Sequence, residues 1–303
     1  MHLVTPHRAA LAAFAGLLGL GIGFAPATGT VASPPPRQEV AVETLAVAGG
    51  VHVLVGRGGN VGVFVGDEGV LVIDDQMKPT EQALFDAIDA LSKAPWRFVL
   101  NTHVHGDHTG NNASFGARAP IVAHANVRAR LADPKRDGGP LAAPALPVVT
   151  FEEGLELHLN GERVRVKHFA NAHTDGDSVV FFERANVVHT GDLFFHGRFP
   201  IIDLDRGGSV RGVVEAVDEL LTMLSDDVRL IPGHGALARK SDLVAYRDML
   251  ADSLKLVEAA QREGKSLEQM QQERVLSKYA ALAQQPNSEQ RFLETVAREL
   301  GAK

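Results

Sequence analysis

Residues 101–111, NTHVHGDHTGN, place three histidines and an aspartate within six consecutive residues, His103 to His108. On an extended backbone, side chains two residues apart project to the same side, so His103 and His105 can share one ion. Asp107 and His108, one turn further on, can point to a second position nearby. Imidazole and carboxylate suit zinc, and they also suit iron or manganese. The stretch therefore predicts part of a metal site without choosing the metal.

Three later loops carry further ligand-type residues. Two ions need more ligands than the first stretch supplies, because zinc alone takes about four. The segment NAHTDGD offers His173, HTGDLFF offers Asp192, and PGHG offers His234. Each follows an apolar strand pattern and is flanked by small or turn-forming residues that allow close approach. We therefore expect these side chains to converge with the first four at the ends of neighbouring strands.

The composition is that of an ordinary globular protein. The chain has 303 residues, of which 45% are hydrophobic, so it can bury a sizeable core. Its net charge is -7, and its lysines and arginines are scattered along the sequence. This charge pattern gives no basic footprint for nucleic acid, which is excluded as an expected partner. The expected partner is a small-molecule substrate, and the sequence does not predict an oligomeric state.

The first 36 residues differ from the rest of the chain. A short leader with one arginine precedes the uncharged apolar run AALAAFAGLLGLGIGFA, and a small-residue, proline-rich stretch ending in PPP follows it. This pattern predicts a secretory signal peptide and a linker over residues 1–36, with no stable membrane insertion after cleavage. There is no cysteine, which excludes disulfides and lipid attachment through cysteine. We expect a mature protein in the periplasm or outside the cell.

The hydrophobic pattern after the linker predicts alternating strands and helices. Residues 51–75 contain VHVLVG, NVGVFVG and GVLVIDD with glycine-rich turns, which is typical of an antiparallel meander. Residues 80–94 have a helical period of apolar positions, with Thr80 as the cap. The strand pattern RFVLNT follows, so the histidine-rich stretch comes directly after a buried strand.

A second round of strands and helices follows. Hairpins are predicted at Asn160-Gly161 and near residues 184–186, and an amphipathic helix over residues 209–224. Residues 241–300 read as helices, and Ser266 and Gln269 are spaced as a capping box. Together the patterns predict one α/β domain over residues 37–303 with a helical C-terminal cover.

The ordered set of ligand-type residues resembles a known family. The pattern His103-x-His105-x-Asp107-His108, followed by His173, Asp192 and His234, resembles the metallo-β-lactamase fold superfamily of metallohydrolases, over about Val40 to Lys303. The resemblance implies an αββα sandwich, in which two mixed β-sheets carry helices on both outer faces. It also implies a two-metal site at one edge of this sandwich.

The resemblance also implies a role for each ligand. His103, His105 and His173 would hold the first metal, and Asp107, His108 and His234 the second. Asp192 would bridge the two ions, which are expected to be two Zn²⁺ per chain, with iron or manganese as alternatives. Asp74 or Asp75, at the end of VLVIDD, resembles the family's aspartate beneath the metal loop, which orients ligands.

The expected reaction is metal-assisted hydrolysis. Two divalent ions lower the pKa of a shared water, and the resulting hydroxide attacks an amide, ester or β-lactam carbonyl. Asp107 is the predicted catalytic residue, because a ligand carboxylate with a spare oxygen can orient the hydroxide and handle its proton. The absence of cysteine excludes thiol catalysis.

The substrate is less defined than the chemistry. The antibiotic-hydrolysing branch has a cysteine where this chain has Asp192, and a lysine shortly after it. An aspartate at this position instead resembles the pattern of the glyoxalase II branch. The basic glutathione-binding residues of that branch are not evident.

Residues 191–209, GDLFFHGRFPIIDLDRGGS, resemble secreted β-lactamase-like hydrolases. We predict a zinc hydrolase of this group with weak β-lactamase activity. The alternatives are a glyoxalase II-like thioesterase or lactonase, and a metal-binding accessory protein without turnover.

Several residues near the ligands are candidates for contact with the substrate. His196 lies four residues after Asp192 and could face the substrate, and Arg198 is a candidate carboxylate anchor. Other candidates for the pocket lining are the loop of residues 56–60 and three aromatic residues, Phe194, Phe195 and Phe199.

Overall fold

The computed structural model describes residues 41–301 of the chain, so the predicted signal peptide and linker of residues 1–36 lie outside the described residues. The described residues form thirteen strands: β1 (Glu43–Ala48), β2 (Val51–Val55), β3 (Val61–Gly66), β4 (Gly69–Ile73), β5 (Trp96–Leu100), β6 (Ile121–His124), β7 (Val149–Phe151), β8 (Gly154–Leu159), β9 (Glu162–His168), β10 (Ser178–Phe182), β11 (Val187–Phe195), β12 (Arg229–His234) and β13 (Ala238–Arg239). They also form eight α-helices: α1 (Glu81–Leu91), α2 (Gly106–Thr109), α3 (Asn112–Phe115), α4 (Ala125–Leu131), α5 (Val210–Met223), α6 (Lys240–Arg262), α7 (Leu267–Gln272) and α8 (Glu289–Glu299).

The strands form two mixed sheets. The first sheet has seven strands in the order β1-β2-β3-β4-β5-β6-β7, antiparallel from β1 to β4 and parallel from β4 to β7. The second has six strands in the order β13-β12-β11-β10-β9-β8, in which β11 and β12 are parallel. The predicted meander is the β2-β3-β4 part of the first sheet.

Three apolar layers hold the two sheets and the helices together. Between the sheets, Phe64 of the first packs against Phe182 of the second with ring centroids 5.2 Å apart. On the outer face of the first sheet, α1 buries Leu84 and Ile88. On the outer face of the second sheet, α5, α6 and α8 pack their apolar stripes into the largest cluster. The architecture is the expected αββα sandwich, because each sheet is covered on both faces.

Most of the predicted local elements are confirmed. The β8–β9 hairpin turns at Asn160 and Gly161, which have φ of 55° and 70°, as a tight two-residue turn requires. Ser266 and Gln269 form the predicted capping box of α7. Helix α1 begins after Thr80, but the Thr80 hydroxyl donates to the carbonyl of Met77 instead of capping the helix. The sequence reasoning missed β1, β6 and β7, which are short or lie at an edge.

Neighbouring strand ends bring the predicted ligands to one edge of the sandwich. Strand β4 leads into Asp74 and its parallel neighbour β5 leads into Thr102 and the histidine-rich stretch. In the second sheet, β11 carries Asp192 and the adjacent β12 ends at His234. The backbone N–H of Ser178 donates to the Thr102 carbonyl at 2.9 Å and joins the two sheets at this edge. Within residues 41–301, no helix is both long enough and apolar enough to span a membrane.

One aromatic contact contributes to the packing of helix α8. Phe292 is buried and stacks on Phe199, with ring centroids 5.0 Å apart. We expect Phe292→Ala to lower the free energy of unfolding by about 3–5 kcal/mol, because truncation leaves a cavity in the core. Denaturant unfolding would measure this change. Gln290→Ala, at an exposed position of the same helix, should change stability by less than about 0.5 kcal/mol, and equal effects of the two substitutions would contradict the packing argument.

Candidate metal centre

The first group of predicted ligands converges on one point. Suitable ligand atoms of His103, His105, His173 and Asp192 all lie within 4.8 Å of one another. His105 Nδ1 is 2.8 Å from His173 Nε2, and the latter is 3.4 Å from Asp192 Oδ2. The three imidazoles come from two loops on different sheets, and such a convergence of ring nitrogens is what a metal ion requires.

The second group lies beside the first. Suitable atoms of Asp107, His108 and His234 also lie within 4.8 Å of one another. His234 Nε2 is 3.2 Å from Asp107 Oδ2 and 3.4 Å from His108 Nε2. Asp107 and His108 are on the short helix α2, which begins directly after His105, so the change from extended to helical backbone turns them away from the first group.

Asp192 faces both groups. Its Oδ2 atom is 3.7 Å from His103 Nε2 and 3.4 Å from His234 Nε2, while Oδ1 is 3.1 Å from His108 Nε2. One carboxylate therefore lies between ligands of the two groups, which is the position of a bridge. The structure brings together all seven predicted ligands in the predicted grouping. Their binding of metal stays a prediction.

Asp74, and not Asp75, is the aspartate beneath the metal loop. It adopts a φ of 63°, which an aspartate tolerates better than most residues, and is fully buried. Its carboxylate accepts from Thr102 N, Thr102 Oγ1 and His108 Nδ1, each at 2.7 Å. Because the Thr102 hydroxyl donates to Asp74, it accepts from His103 Nδ1 at 3.1 Å. The Nε2 atoms of His103 and His108 are therefore left for metal binding.

The loop of residues 201–208 fixes the other two histidines of the first group. His173 Nδ1 donates to the carbonyl of Ile201 at 2.6 Å, which leaves its Nε2 atom for the metal. His105 Nε2 donates to Asp203 Oδ2 at 2.8 Å, which leaves Nδ1. The backbone N–H of Asp203 also donates to the His173 carbonyl at 3.0 Å. Sequence reasoning missed Asp203, because it lies about a hundred residues from His105.

Asp177 was also missed, although it lies close to His173 in the sequence. Its buried carboxylate accepts from the backbone N–H of His173 at 2.5 Å, and from the N–H and hydroxyl of Thr174 at 2.8 and 2.6 Å. Burial raises the pKa of Asp177 to about 7. These bonds hold the turn that presents His173. In the sequence, the sign of this role was that an aspartate lies four residues after the predicted ligand His173.

Two glycines make room for the ligands. A β-carbon at Gly59 would overlap the His108 ring, and one at Gly233 would overlap Asp192 Oδ1. The backbone N–H of Gly59 also donates to the carbonyl of Asp107 at 3.0 Å. The loop of residues 56–60 therefore lies against the second group, as close as backbone can approach.

The electrostatic environment differs between the two groups. Burial lowers the pKa of His103 well below its usual value and that of His173 to about 4, so both are neutral imidazoles ready to bind a metal. Burial also opposes the charged form of His234, but Asp192 and Asp107 raise its pKa to about 9.

Neighbouring charges also determine the pKa values of the other two members of the second group, His108 and Asp107. Burial lowers the pKa of His108, but Asp192 and Asp74 more than offset this effect and raise it well above its usual value. Burial favours the protonated form of Asp107, yet His108 and His234 lower its pKa to about 2. His108 and His234 therefore carry protons that an incoming ion has to displace.

The centre opens into a cavity. The His105, Asp107 and His234 side chains are 21%, 24% and 16% exposed, whereas the other four ligands are buried. His105, Gly106 and Asp107 line a cavity of about 700 Å³, together with residues of the 201–208 loop and of α8. A second cavity of about 520 Å³, lined by charged residues of the α4 region, also borders His105 and Gly106. A small molecule can thus reach ligands of both groups.

The residues present fit metal ions. His103 Nε2 is buried and, within the described part of the chain, has no hydrogen-bond partner; the same holds for Asp192 Oδ1. Leaving such atoms unpaired is costly, and an ion at each group would satisfy them. Imidazole and carboxylate donors suit zinc, iron or manganese.

The expectations for the substrate contacts need correction. Phe194 and Phe199 are fully buried in the core beneath the centre, so they are unavailable to a substrate. Phe195 is also buried and stacks on the His234 ring at 5.0 Å, which makes it a support for a ligand. His196 Nδ1 donates to the carbonyl of Ala236 at 2.9 Å and is held in place by that bond. Among the described residues that line the two cavities, neither His196 nor Arg198 is present.

Comparison with known proteins identifies the family. The sequence model described as the metallo-beta-lactamase superfamily matches residues 54–234, which contain all seven ligands. The chain belongs to the metallo-β-lactamase superfamily.

Two curated relatives match part of the chain. An uncharacterized protein of Mycobacterium leprae is 34% identical over 151 residues, which cover 45% of this chain and 68% of that protein. A hydroxyacylglutathione hydrolase of Polaromonas sp. is 29% identical over 164 residues, which cover 50% of this chain and 56% of that protein.

Two solved structures share the fold at low sequence identity. The metallo-beta-lactamase from Pontibacter korlensis has a TM-score of 0.58 and 18% identity, and the match covers 69% of this chain and 99% of that one. A sec-alkylsulfatase from Pseudomonas sp. has a TM-score of 0.64 and 16% identity, with coverage of 86% and 50%. At such identities, these likenesses show the fold alone.

The bond between Asp203 and His105 predicts a selective loss of metal affinity. In Asp203→Ala, the His105 ring loses the acceptor that fixes its orientation, so we expect the first group to bind metal about 10–100-fold more weakly. Stepwise zinc titration by calorimetry would resolve the two groups. Asp205→Ala is the matched control, because Asp205 lies on the same loop as Asp203 but pairs with Arg298 of α8. Equal weakening in both variants would contradict the positioning role.

The pKa values predict different pH dependences for the two groups. Metal displaces the protons of His234 and His108, so the affinity of the second group should rise by up to about tenfold per pH unit for each proton displaced, between pH 6 and about 9. His103 and His173 are already neutral in this range, so they add nothing to the pH dependence of the first group, which should have the shallower slope. Zinc titrations at several pH values, in buffers of different ionisation enthalpy, would measure both slopes. Identical slopes would contradict the assignment.

Proposed function

We propose that this protein is a zinc-dependent hydrolase that cleaves an acyl bond, such as an ester, amide or β-lactam, in a small molecule. The single observation that carries the proposal is the convergence of seven ligand-type side chains, with Asp192 between two groups, at the floor of a cavity. Membership of a superfamily that includes metallohydrolases supports it.

The proposed metal ligands divide into the two groups that their distances define. His103, His105 and His173 would hold one ion and Asp107, His108 and His234 the other, and Asp192 would be a ligand available to both. When bound, two divalent ions make water ionise near neutral pH and polarise a substrate carbonyl.

The protein's own residues then orient the reactants. Asp107 is anionic at neutral pH and is the carboxylate ligand that borders the cavity, so it can accept a hydrogen bond from the attacking water and hold its proton. Asp74, Asp203 and Asp177 hold the histidine-bearing loops in place, so that little reorganisation is needed during the reaction. Asp107 is the one ligand to which we assign a catalytic role.

Thioester hydrolysis is a second candidate for the same site. The bridging position is occupied by Asp192, and the relative from Polaromonas sp. is named a hydroxyacylglutathione hydrolase. These two observations favour a thioester over a β-lactam as the better substrate. We expect weak β-lactamase activity beside it.

We also propose that the mature protein acts in the periplasm or outside the cell. The support is the sequence of residues 1–36, in which an apolar run is followed by a small-residue, proline-rich stretch. The proposed partner is a small-molecule substrate, and nucleic acid is not proposed because the chain carries a net charge of -7.

Metal-dependent turnover tests the proposal. The purified protein, loaded with zinc, should hydrolyse at least one of nitrocefin, a lactoylglutathione-type thioester, an acyl lactone and a nitrophenyl ester. Asp107→Asn should lower kcat by about a hundredfold or more, since it removes the proton acceptor. Asp192→Ala should reduce the metal content of both groups, measured by elemental analysis.

One outcome would contradict the proposed hydrolase function, and another would contradict the bridging role of Asp192. If the zinc-loaded protein turned over none of the four substrates, a non-catalytic metal-binding protein would be favoured. If Asp192→Ala kept full metal content, the bridging assignment would be wrong. Gln290→Ala, at an exposed position of α8 outside the centre, serves as the control for both measurements.

A further inference from the structure

The 700 Å³ cavity has one apolar wall. Its floor is formed by His105, Gly106 and Asp107 of the metal centre. On one side, the loop after β11 contributes the apolar side chains of Ile201, Ile202 and Leu204, and Met77 extends this surface. An acyl chain attached to a bond at the metal centre would lie against these residues, because burial of apolar surface is favourable.

Helix α8 lines another part of the cavity with its polar face. Phe292, Leu293, Val296 and Ala297 are buried in the core, and the cavity is lined by the other stripe of the helix, at positions 291, 294, 295 and 298. These four positions lie on one helical face, since residues three, four and seven apart are neighbours. Helix α8 therefore presents a fixed row of polar side chains to the cavity.

Two carboxylate contacts attach α8 to the rest of the cavity. Glu299 accepts from Ser209 Oγ and from the backbone N–H of Arg211, both at 3.1 Å. Arg298 pairs with Asp205 on the 201–208 loop, with a second contact of 3.3 Å between Nη1 and Oδ2. These contacts fix α8 against the loop that carries the apolar residues.

One charged side chain on these walls is free. Asp203 is paired with His105 and Arg206, Asp205 with Arg298, and Glu294 accepts from Gln271 at 3.0 Å. Within residues 41–301, the Arg291 side chain makes no hydrogen bond or ion pair and is exposed. A cation in the first turn of a helix is unfavourable for the helix itself, so helix stability does not explain it.

We propose that Arg291 is a specificity-determining residue that binds an anionic group of the substrate remote from the scissile bond. The preferred substrates are then acyl compounds whose apolar chain runs along Ile201, Ile202 and Leu204 and ends in a carboxylate or a similar anion. This inference rests on the proposed hydrolase function and names its substrate class.

The chemistry of the walls favours an anion over a neutral end group. The guanidinium of Arg291 has all its donors available and can bind a carboxylate through two parallel hydrogen bonds. Asp203, Asp205, Arg206 and Arg298 are already in ion pairs, and Glu294 is hydrogen-bonded to Gln271, so Arg291 is the charged side chain of these walls that an anionic group of the substrate could pair with. Arg291 lies outside residues 54–234, where the family model matches.

Matched ester pairs test the inference. The mono-nitrophenyl esters of adipic, suberic and sebacic acids would be compared with nitrophenyl esters of the monocarboxylic acids of the same chain length. In each reaction water adds to the acyl carbon, and nitrophenol leaves with a proton. We expect kcat/KM for the best anionic ester to exceed that of its neutral match by about tenfold, mainly through KM. The preference should shrink at high salt.

Variants at position 291 locate the effect. Arg291→Gln should abolish the preference for the anionic ester and leave the neutral ester unchanged, while Arg291→Lys should keep most of the preference. Arg262→Gln is the matched control, because Arg262 is an exposed arginine of α6 that pairs with Glu258. A preference that survives in Arg291→Gln, or one that is lost equally in Arg262→Gln, would overturn the inference.

A binding measurement separates this inference from the proposed function. Calorimetry on the zinc-loaded protein would compare the dicarboxylates with the monocarboxylates of equal length. Tighter binding of a dicarboxylate, by about tenfold and dependent on Arg291, supports the inference even if no ester is turned over, in which case only the hydrolase proposal fails. Equal binding of both acids, with metal-dependent hydrolysis of both esters, overturns the inference and leaves the hydrolase proposal standing.

Discussion

The burial of the Asp192 carboxylate among four imidazoles is the interaction on which the metal centre depends. A carboxylate without water is tolerated only when positive charge lies close to it. Here that charge comes from protons on His108 and His234, which Asp192 helps to hold, or from metal ions in their place. The centre is therefore a set of charges that must be balanced by something other than solvent.

The supporting residues follow from the same constraint. A buried imidazole has two nitrogens, and a metal site needs one of them free and the other held. Asp74, Thr102, Asp203 and the carbonyl of Ile201 each hold a ring nitrogen, and these acceptors come from the ends of β4 and β5 and from the loop after β11. The sandwich can supply them together because these strand ends meet at one edge.

The ligands could be predicted from sequence because their signals are local. His103 to His108 form a compact cluster. In the sequence, His173, Asp192 and His234 each come after an apolar strand pattern and are flanked by small or turn-forming residues, although the structure places Asp192 within β11 and His234 at the end of β12. The residues that act on these ligands were missed for the opposite reason. Asp203 lies nearly a hundred residues after His105 in the sequence, so no local sequence pattern around either residue indicates their hydrogen bond. The lining was misjudged as well. Phe194 on β11 and Phe199 in the loop after it follow a ligand in sequence, but both are buried in the core, whereas α8 reaches the cavity from a distant part of the chain.

The limited opening of the centre has a kinetic consequence. Four of the seven ligands are buried, and two of the three with exposed surface, His105 and Asp107, form the floor of the cavity. An ion that enters or leaves through this cavity therefore uses the same entrance as a substrate. A molecule bound in the cavity would slow the exchange of metal with a chelator. The metal ions would then stay bound for longer when the cavity is occupied for more of the time.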